Sequence, residues 1–184
     1  MPRPAWTIEE WDARWADVRR IPRGEPRVTQ VCVRPGPDTR GFPEILQLDR
    51  DRGAIGDRWE HRTWMYLPDG RPDPRVQVAI ADQRLIAFVQ ERTACARHPG
   101  DTLLVDADLS EAALPTGTRL AVGSAELEVS DVENDACAKF ALHHGADVLA
   151  WIRAPHNHAF RLRGLFARVL RSGEVRNGDP IRRL

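Results

Sequence analysis

The sequence predicts a mainly β fold, a barrel or sandwich that carries a few short helices and follows an N-terminal helical arm. Three observations support this prediction. Short apolar stretches separated by glycine- and proline-containing turns recur from Arg27 onward, as in all-β domains. Helical periodicity is confined to a few segments, and there is no repeated strand–helix–strand rhythm and no glycine-rich phosphate-binding motif. The length of 184 residues suits one domain with an arm.

The arm occupies residues 1–26 and is predicted to be helical. Thr7 and Glu10 have the spacing of a capping box, which satisfies free N–H groups at the start of a helix. Trp11 and Trp15 follow on one helical face. We expect this tryptophan stripe to pack on the domain's own core, with a partner protein as the alternative.

Residues 27–184 are predicted to form the β domain. Its first helix is predicted over residues 81–92, where Leu85, Ile86 and Val89 share one face. Apolar runs between turn residues indicate the strands. These lie within residues 27–33, 44–53, 76–80, 102–109, 118–132 (a hairpin turning at Gly123-Ser124), 161–170 and 174–184.

A second helical region is predicted over residues 138–152. Gly145 in its middle would cost about 1 kcal/mol relative to alanine in a continuous helix. We therefore expect Gly145 to adopt a left-handed conformation that ends one short helix before another begins. Asp135 is the predicted N-cap, which puts Cys137 in the first turn of the helix.

The composition excludes some classes of partner. Lys+Arg and Asp+Glu both number 27, so the formal net charge is zero and no global field attracts nucleic acid or an anionic membrane. Because the cations are almost all arginine, local binding of small anions stays open. The sequence has no apolar run of about 18 residues and no signal-peptide core. Cys32, Cys95 and Cys137 form no disulfide or zinc pattern, and we expect a soluble, cytoplasmic protein.

Cys137 and Lys139, the sole lysine, form the pair most suggestive of chemistry. The free N–H groups and the dipole at a helix start favour the thiolate form of a cysteine, and Lys139 adds a positive charge. A buried structural cysteine fits the spacing as well. A hydrolytic dyad with His144 is disfavoured because seven residues of helix span about 10 Å. A single cysteine can also bind a soft metal whose other ligands come from a cofactor.

Three Gly-Asp pairs, one of them Gly178-Asp179, are explained most simply as turns, and the other two end in Asp57 and Asp101. The alternative is that these carboxylates line the mouth of a pocket. His156 and His158 have strand spacing without a third ligand nearby, so we expect a solvated loop there rather than a metal site.

The stretch from 98 to 140 resembles the MOSC family, the domain at the C-terminus of molybdenum-cofactor sulfurases. The hallmark of that family is a strand of the form Leu-Glu-Val-Ser/Thr, here residues 127–130, followed by one cysteine and a lysine, here Cys137 and Lys139. The stretch from 161 to 179 resembles the family's closing strands.

The resemblance covers residues 27–184 in order and includes an early turn at Gly56-Asp57. Two segments depart from the family pattern. Residues 60–70 replace a His-Gly-Gly segment, and residues 100–103 read Gly-Asp-Thr-Leu where the family has Gly-Glu-Asn-Leu. Both segments lie near the proposed pocket in relatives, so they leave the identity of the ligand open.

The resemblance implies a MOSC-type β-barrel and a role linked to the molybdenum cofactor, molybdopterin. It implies that Cys137 carries sulfur as a persulfide, or ligates molybdenum as in relatives that reduce N-hydroxylated compounds. Arg163 is the first candidate for the phosphate of the pterin, and Asp57, Asp101 and Lys139 are further cofactor-binding candidates. Pyridoxal phosphate belongs to a separate domain of the sulfurases and is not expected in this chain.

The sequence thus leads to three hypotheses. The first is a protein that binds the molybdenum cofactor or carries sulfur for it through Cys137, with a redox or sulfur-donor protein as partner. The second is a non-enzymatic barrel that binds a small anion or a partner protein and contains a structural cysteine. The third is a thiol hydrolase. The sequence does not predict the substrate or the oligomeric state.

Overall fold

The computed structural model describes residues 4–184, so the first three residues of the predicted arm lie outside the described range. Ten strands are assigned within that range. In chain order they are β1 (Arg27–Val31), β2 (Leu46–Asp49), β3 (Gly53–Ala54), β4 (Val78–Asp82), β5 (Leu103–Asp106), β6 (Arg119–Val122), β7 (Ala125–Glu133), β8 (Leu165–Arg171), β9 (Gly173–Val175) and β10 (Ile181–Arg183).

The helices of the described range are mostly short. Four are α-helical, namely α1 (Ile8–Arg20), α2 (Gln83–Thr93), α3 (Ala138–His144) and α4 (Ala146–Ile152). Three 3-10 helices cover Arg58–Glu60, Pro74–Val76 and Pro155–Phe160. Within residues 4–184, no helix combines the length and the apolar character that crossing a bilayer requires.

Seven strands form one sheet in the order β1-β5-β4-β8-β7-β6-β10. The sheet curls into a near-closed barrel because its two ends meet. Arg27 of β1 pairs with Pro180, which directly precedes β10, and the N–H of Val28 donates to the carbonyl of Asp179 at 2.9 Å. A second sheet, in the order β3-β2-β9, adds side chains to the same core. The predicted mainly β, barrel-like fold is confirmed.

The order of elements differs from expectation in two places. One strand–helix–strand unit occurs, in which β4 and β5 are parallel and α2 connects them. Because it occurs once, it leaves no periodic signal in the sequence. The strand predicted over residues 174–184 is interrupted, since β9 pairs with β2 whereas β10 pairs with β6.

The protein has two hydrophobic clusters on opposite sides of the sheet. The first fills the barrel and is built from the inward side chains of the strands. The second lies beneath the helices, where Trp11 and Trp15 of α1 pack with Trp151 of α4. The Trp11 and Trp151 rings stack with centroids 5.1 Å apart. The expectation that the tryptophan stripe packs on the domain's own core is therefore confirmed.

The capping of α1 follows the sequence prediction. The N–H of Glu10 donates to the hydroxyl of Thr7 at 3.2 Å, and the N–H of Thr7 donates to the carboxylate of Glu10 at 2.8 Å. Both bonds satisfy N–H groups that a helix start otherwise leaves free. The proposed division into an arm of residues 1–26 and a barrel of residues 27–184 stays a prediction.

Helices α3 and α4 are separate, as predicted, and the break lies at Gly145. Its φ of 104° is positive, but its ψ of 158° places it outside the left-handed helical region that we expected. The predicted N-cap, Asp135, is wrong. Ala136 has a φ of 68°, which turns the chain before the helix, so that Cys137 is the N-cap and precedes the first turn. Asp135 instead pairs with Arg153 at 3.1 Å.

Gly164 sets the position of the segment that enters β8. A Cβ at this position would lie 2.0 Å from the carbonyl oxygen of Ile80 in β4, and the φ of 94° also favours glycine. Glycine therefore allows the chain at Gly164 to lie directly against β4. This close approach determines where the preceding residue, Arg163, enters the site described next.

Candidate functional site

A cleft of about 330 Å³ opens beside Cys137, and we call it the Cys137 cleft. Its walls come from the loop after β1, the segment 58–64, the loop between α2 and β5, helix α3 and the start of β8. Cys137 itself is exposed, so a buried structural cysteine is excluded at this position. The volume is within the range of small-molecule pockets, which begins at roughly 300 Å³.

Positive charge is concentrated in the Cys137 cleft although the chain as a whole is neutral. Two carboxylates line it, those of Asp38 and Asp101. Against these stand six cationic side chains, namely Arg34, Arg40, Arg58, Arg97, Lys139 and Arg163. A cleft lined by an excess of one sign of charge concentrates ligands of the opposite sign, so this site suits an anion.

Arg163 and Asp101 form a buried ion pair in the wall of the cleft. The Nη1 group of Arg163 donates to both carboxylate oxygens of Asp101, at 2.8 and 2.9 Å. Their side chains are 9% and 1% exposed. The guanidinium carbon also lies 5.1 Å from the centre of the Phe140 ring. Asp101 therefore fixes Arg163 through one nitrogen and leaves the other N–H groups of Arg163 for a ligand.

Asp57, the other carboxylate for which the sequence offered a turn or a pocket mouth, holds an arginine in place. It is buried and outside the lining of the Cys137 cleft. It accepts from the Nε and Nη2 groups of Arg34, at 2.8 and 3.1 Å, and from the backbone N–H of Trp59 at 2.9 Å. Asp57 thus positions Arg34, which does line the cleft, and its carboxylate is fully used.

Three buried N–H groups in residues that line the cleft have no acceptor among the described residues. They are the Nε groups of Arg40 and Arg163 and the Nε2 group of His98. Burial lowers the pKa of His98, so its ring is neutral at pH 7. The Nδ1 atom of His98 accepts from the N–H of Gly100 at 3.1 Å, which places the ring proton on Nε2.

Unpaired buried donors are costly, and proteins avoid them unless water or a ligand completes them. The presence of these three donors in one cleft favours an oxygen-rich anion as its ligand. Sequence reasoning missed Arg40 and gave His98 no binding role. Both lie in irregular loops, and only the tertiary fold brings them beside Arg163.

Lys139 lies at the edge of the cleft and donates from Nζ to Asp38 at 3.0 Å. Asp38 also pairs with Arg97 at 3.1 Å. The support of the Cys137 thiolate by Lys139 stays a prediction, and the Lys139 ammonium group is already paired with a carboxylate. Because these groups are largely exposed, the pairs add little to stability. Through these two ion pairs, the loop after β1 is joined across the mouth of the cleft to helix α3 and to the loop that follows α2.

His144 lies at the inner side of the cleft and is buried. The Thr93 hydroxyl donates to the carbonyl of Val89 at 2.8 Å, so its oxygen accepts from Nδ1 of His144 at 3.0 Å. The Nε2 atom is left as an acceptor. Burial lowers the pKa of His144 to about 4, with smaller contributions from His143 and Arg163.

We expect His144 to make the protein acid-sensitive. Its pKa is about 4 when folded against an ordinary 6.5, so between these values the unfolded chain binds the proton and the folded chain does not. Stability is therefore complete above pH 6.5 and falls as the pH drops towards 4, by roughly 3 kcal/mol in total. Urea unfolding at stepped pH measures this loss.

His144→Gln should flatten that pH dependence, and His61→Gln, which changes a histidine whose side chain is 80% exposed, is the matched control. Equal pH slopes in the wild type and His144→Gln would contradict the assignment.

The three cysteines differ in accessibility, which gives a direct prediction. Cys32 is buried, and burial raises the pKa of its thiol to about 11. Cys95 is partly exposed and Cys137 is exposed. We expect Cys137 to be alkylated first at pH 7 and Cys32 to react at least about a hundredfold more slowly, because the thiolate is the reactive form.

Limited alkylation followed by peptide mapping tests this order. Cys137→Ser should lose the fast phase. Initial modification of Cys32 or Cys95 would contradict it.

His156 and His158 lie outside the lining of the Cys137 cleft. His156 pairs with Asp12 at 2.7 Å, and His158 lies 3.6 Å from Glu133. Both belong to the 3-10 helix at residues 155–160 rather than to a loop. Within residues 4–184, no group of three or more His, Cys, Asp or Glu side chains is arranged to hold a metal ion. No hydrogen bond joins Cys137 to a histidine in this range, and the thiol hydrolase stays a hypothesis.

The chain is similar to known proteins in both sequence family and fold. Residues 73–182 match the MOSC domain family. The fold is similar to that of the YuaD protein from Bacillus subtilis, with a TM-score of 0.62, 20% identity, and coverage of 87% of this chain and 96% of that one. It is also similar to YiiM from Escherichia coli, with a TM-score of 0.55, 17% identity, and coverage of 89% and 70%. No curated protein matches the chain in sequence.

Proposed function

The chain belongs to the MOSC domain family, and from this premise we propose that it acts on the molybdenum cofactor through Cys137. In the ligand form of the proposal, the cofactor binds in the Cys137 cleft and Cys137 supplies a sulfur ligand to the metal. In the carrier form, Cys137 holds a sulfur atom destined for the cofactor. The observation that carries both is an exposed thiol in one cleft with buried, unpaired N–H donors.

The residues present fit such a cofactor. Its phosphate is an oxygen-rich anion, and Arg40, His98 and Arg163 offer the unpaired N–H donors that it needs. Asp101 keeps Arg163 in place by taking one of its nitrogens. Thiolate is the ligand type that suits soft metals, and Cys137 is the cleft's cysteine. Of the predicted cofactor residues, Asp57 would act only by holding Arg34, and Lys139 would act at the edge of the cleft.

For the ligand form, the proposed net reaction is reduction of an N-hydroxylated compound. The molybdenum cofactor supplies the redox chemistry. Two electrons and two protons are consumed, and the hydroxyl oxygen leaves as water. The chain's own residues bind and orient the cofactor and the substrate. An external redox protein supplies the electrons.

For the carrier form, the Cys137 thiolate attacks the terminal sulfur of a persulfide on a donor protein. A sulfur–sulfur bond forms on Cys137, and the donor's own thiolate leaves with the electron pair of the broken bond. The exposure of Cys137 favours such an exchange because a donor's persulfide must reach the thiol.

Purification from a host that makes molybdenum cofactor tests the proposal. The protein is freed of small molecules, and its molybdenum and cyanide-labile sulfur are measured per chain. Bound molybdenum supports the ligand form, and labile sulfur without molybdenum supports the carrier form. A protein with neither would overturn both, leaving a barrel that binds some other anion.

A further inference from the structure

A second cavity of about 380 Å³ adjoins the Cys137 cleft, and we call it the Trp64 cavity. The two spaces share part of their lining, so each opens onto the other. The shared residues are Arg34, Arg58, Trp64, Ala79, Lys139 and Phe166. A molecule held in the Trp64 cavity would therefore lie next to whatever occupies the Cys137 cleft.

The Trp64 cavity carries unpaired positive charge. Arg58 and Arg62 line it, and neither side chain has an acidic partner among the described residues. Asp57 is the one carboxylate in the lining, and it is bound to Arg34 at 2.8 Å. Two guanidinium groups are therefore available to an anion, and their planar donor arrays suit phosphate or carboxylate oxygens.

The same cavity presents an exposed aromatic surface. Trp64 is 66% exposed, whereas the other tryptophans of the described residues are buried or partly buried. Its ring lies 6.0 Å from that of Phe166, which also lines the cavity. Such an indole offers a flat apolar face on which a planar ring can stack.

From this pairing of an exposed indole with two unpaired arginines, we propose that the Trp64 cavity binds a planar aromatic ring that carries an anionic group. A nucleoside monophosphate has this chemistry and serves as the probe. The ring stacks on Trp64, and the phosphate is bound by Arg58 and Arg62. The role of this cavity as the substrate subsite rests on the proposed function, whereas the binding itself does not.

Calorimetric titration of the full chain, prepared without cofactor, tests the binding at low salt. Adenosine 5′-monophosphate should bind at least about tenfold more tightly than ribose 5-phosphate, which lacks the ring, and than adenosine, which lacks the phosphate. Trp64→Ala should weaken the monophosphate about tenfold and leave ribose 5-phosphate unchanged, and Trp64→Phe should recover part of the loss. Tyr66→Ala, an exposed aromatic outside the cavity lining, is the matched control.

Arginine variants locate the phosphate. Arg62 lines the Trp64 cavity alone, and Arg97 lines the Cys137 cleft alone. Arg62→Ala should weaken both phosphate ligands, whereas Arg97→Ala should not. Equal affinities for monophosphate and ribose 5-phosphate, or a loss confined to Arg97→Ala, would overturn the proposal.

Nucleotide binding in the Trp64 cavity can be tested independently of the proposed function. Cys137→Ser should leave nucleotide binding unchanged even where it removes molybdenum or labile sulfur. Molybdenum retained without nucleotide binding would reject the subsite alone.

Discussion

Cys137→Ser should contain less than about a tenth of the molybdenum or labile sulfur that the wild type carries when both are purified from a host that makes the cofactor. Serine preserves the shape of the side chain but replaces a soft, ionisable sulfur with a hydroxyl that is neither a good ligand for a soft metal nor able to hold a sulfane sulfur. The predicted loss is therefore nearly complete, and elemental analysis with cyanide treatment measures it.

The structure provides a matched control for this experiment. Cys95 is partly exposed and does not line the Cys137 cleft, so Cys95→Ser should retain the wild-type content. Unfolding curves for both variants establish that the fold is intact. Cys137→Ser with wild-type molybdenum would show that Cys137 is not the ligand. Equal losses in the two variants would indicate a general effect of cysteine removal.

The loss of metal can be separated from the loss of the organic part of the cofactor. In the ligand form, Arg40, His98 and Arg163 are assigned to the phosphate, and Cys137→Ser leaves them unchanged. We therefore expect the variant to retain part of the pterin, which is measured by its fluorescence after oxidation. Arg163→Met should instead lower the pterin and the molybdenum together, because it removes an anion-binding side chain and the metal's other ligands come from the cofactor.

Local sequence signals predicted the parts of the fold that depend on neighbouring residues. The capping box at Thr7 and Glu10, the hairpin turn at Gly123-Ser124 and the break at Gly145 all appear as expected. Each requires only residues within a few positions of one another. The N-cap at Asp135 failed because the positive φ of Ala136 moves the helix start by two residues, and alanine carries no signal for that conformation.

The candidate site was predictable only in part for the same physical reason. Cys137 and Lys139 belong to one short motif, and the family resemblance suggested Arg163. Asp101 pairs with Arg163 across 62 positions of sequence, and Arg34 pairs with Asp57 across 23. Such pairings depend on which strands become neighbours, and β4 and β8 are neighbours although they are far apart in the chain. The sequence therefore suggested Asp57 and Asp101 as pocket carboxylates but not that each holds an arginine.

Arg163→Met should destabilise the protein by about 3–5 kcal/mol. The substitution leaves the Asp101 carboxylate, which is 1% exposed, without its only hydrogen-bond partner in the described chain. Breaking a buried pair by removing one member is costly because the remaining charge is neither hydrated nor compensated. Urea unfolding measures the change. Arg168→Met is the matched control, since Arg168 pairs with Glu128 at 2.8 Å but is 45% exposed. Its loss should be below about 1 kcal/mol.

A double variant separates the structural role of this pair from its proposed role in binding. Asp101→Leu together with Arg163→Met replaces both charges with apolar groups, so no unpaired carboxylate remains in the wall. We expect it to recover most of the stability lost in Arg163→Met, because buried ion pairs are often replaceable by well-packed apolar residues. Pterin content should nevertheless stay low, since the double variant also lacks the Arg163 donors. Recovery of both stability and pterin would limit the Arg163–Asp101 pair to a structural role. A single variant as stable as the wild type would show that water reaches Asp101 and that the pair is not a buried one.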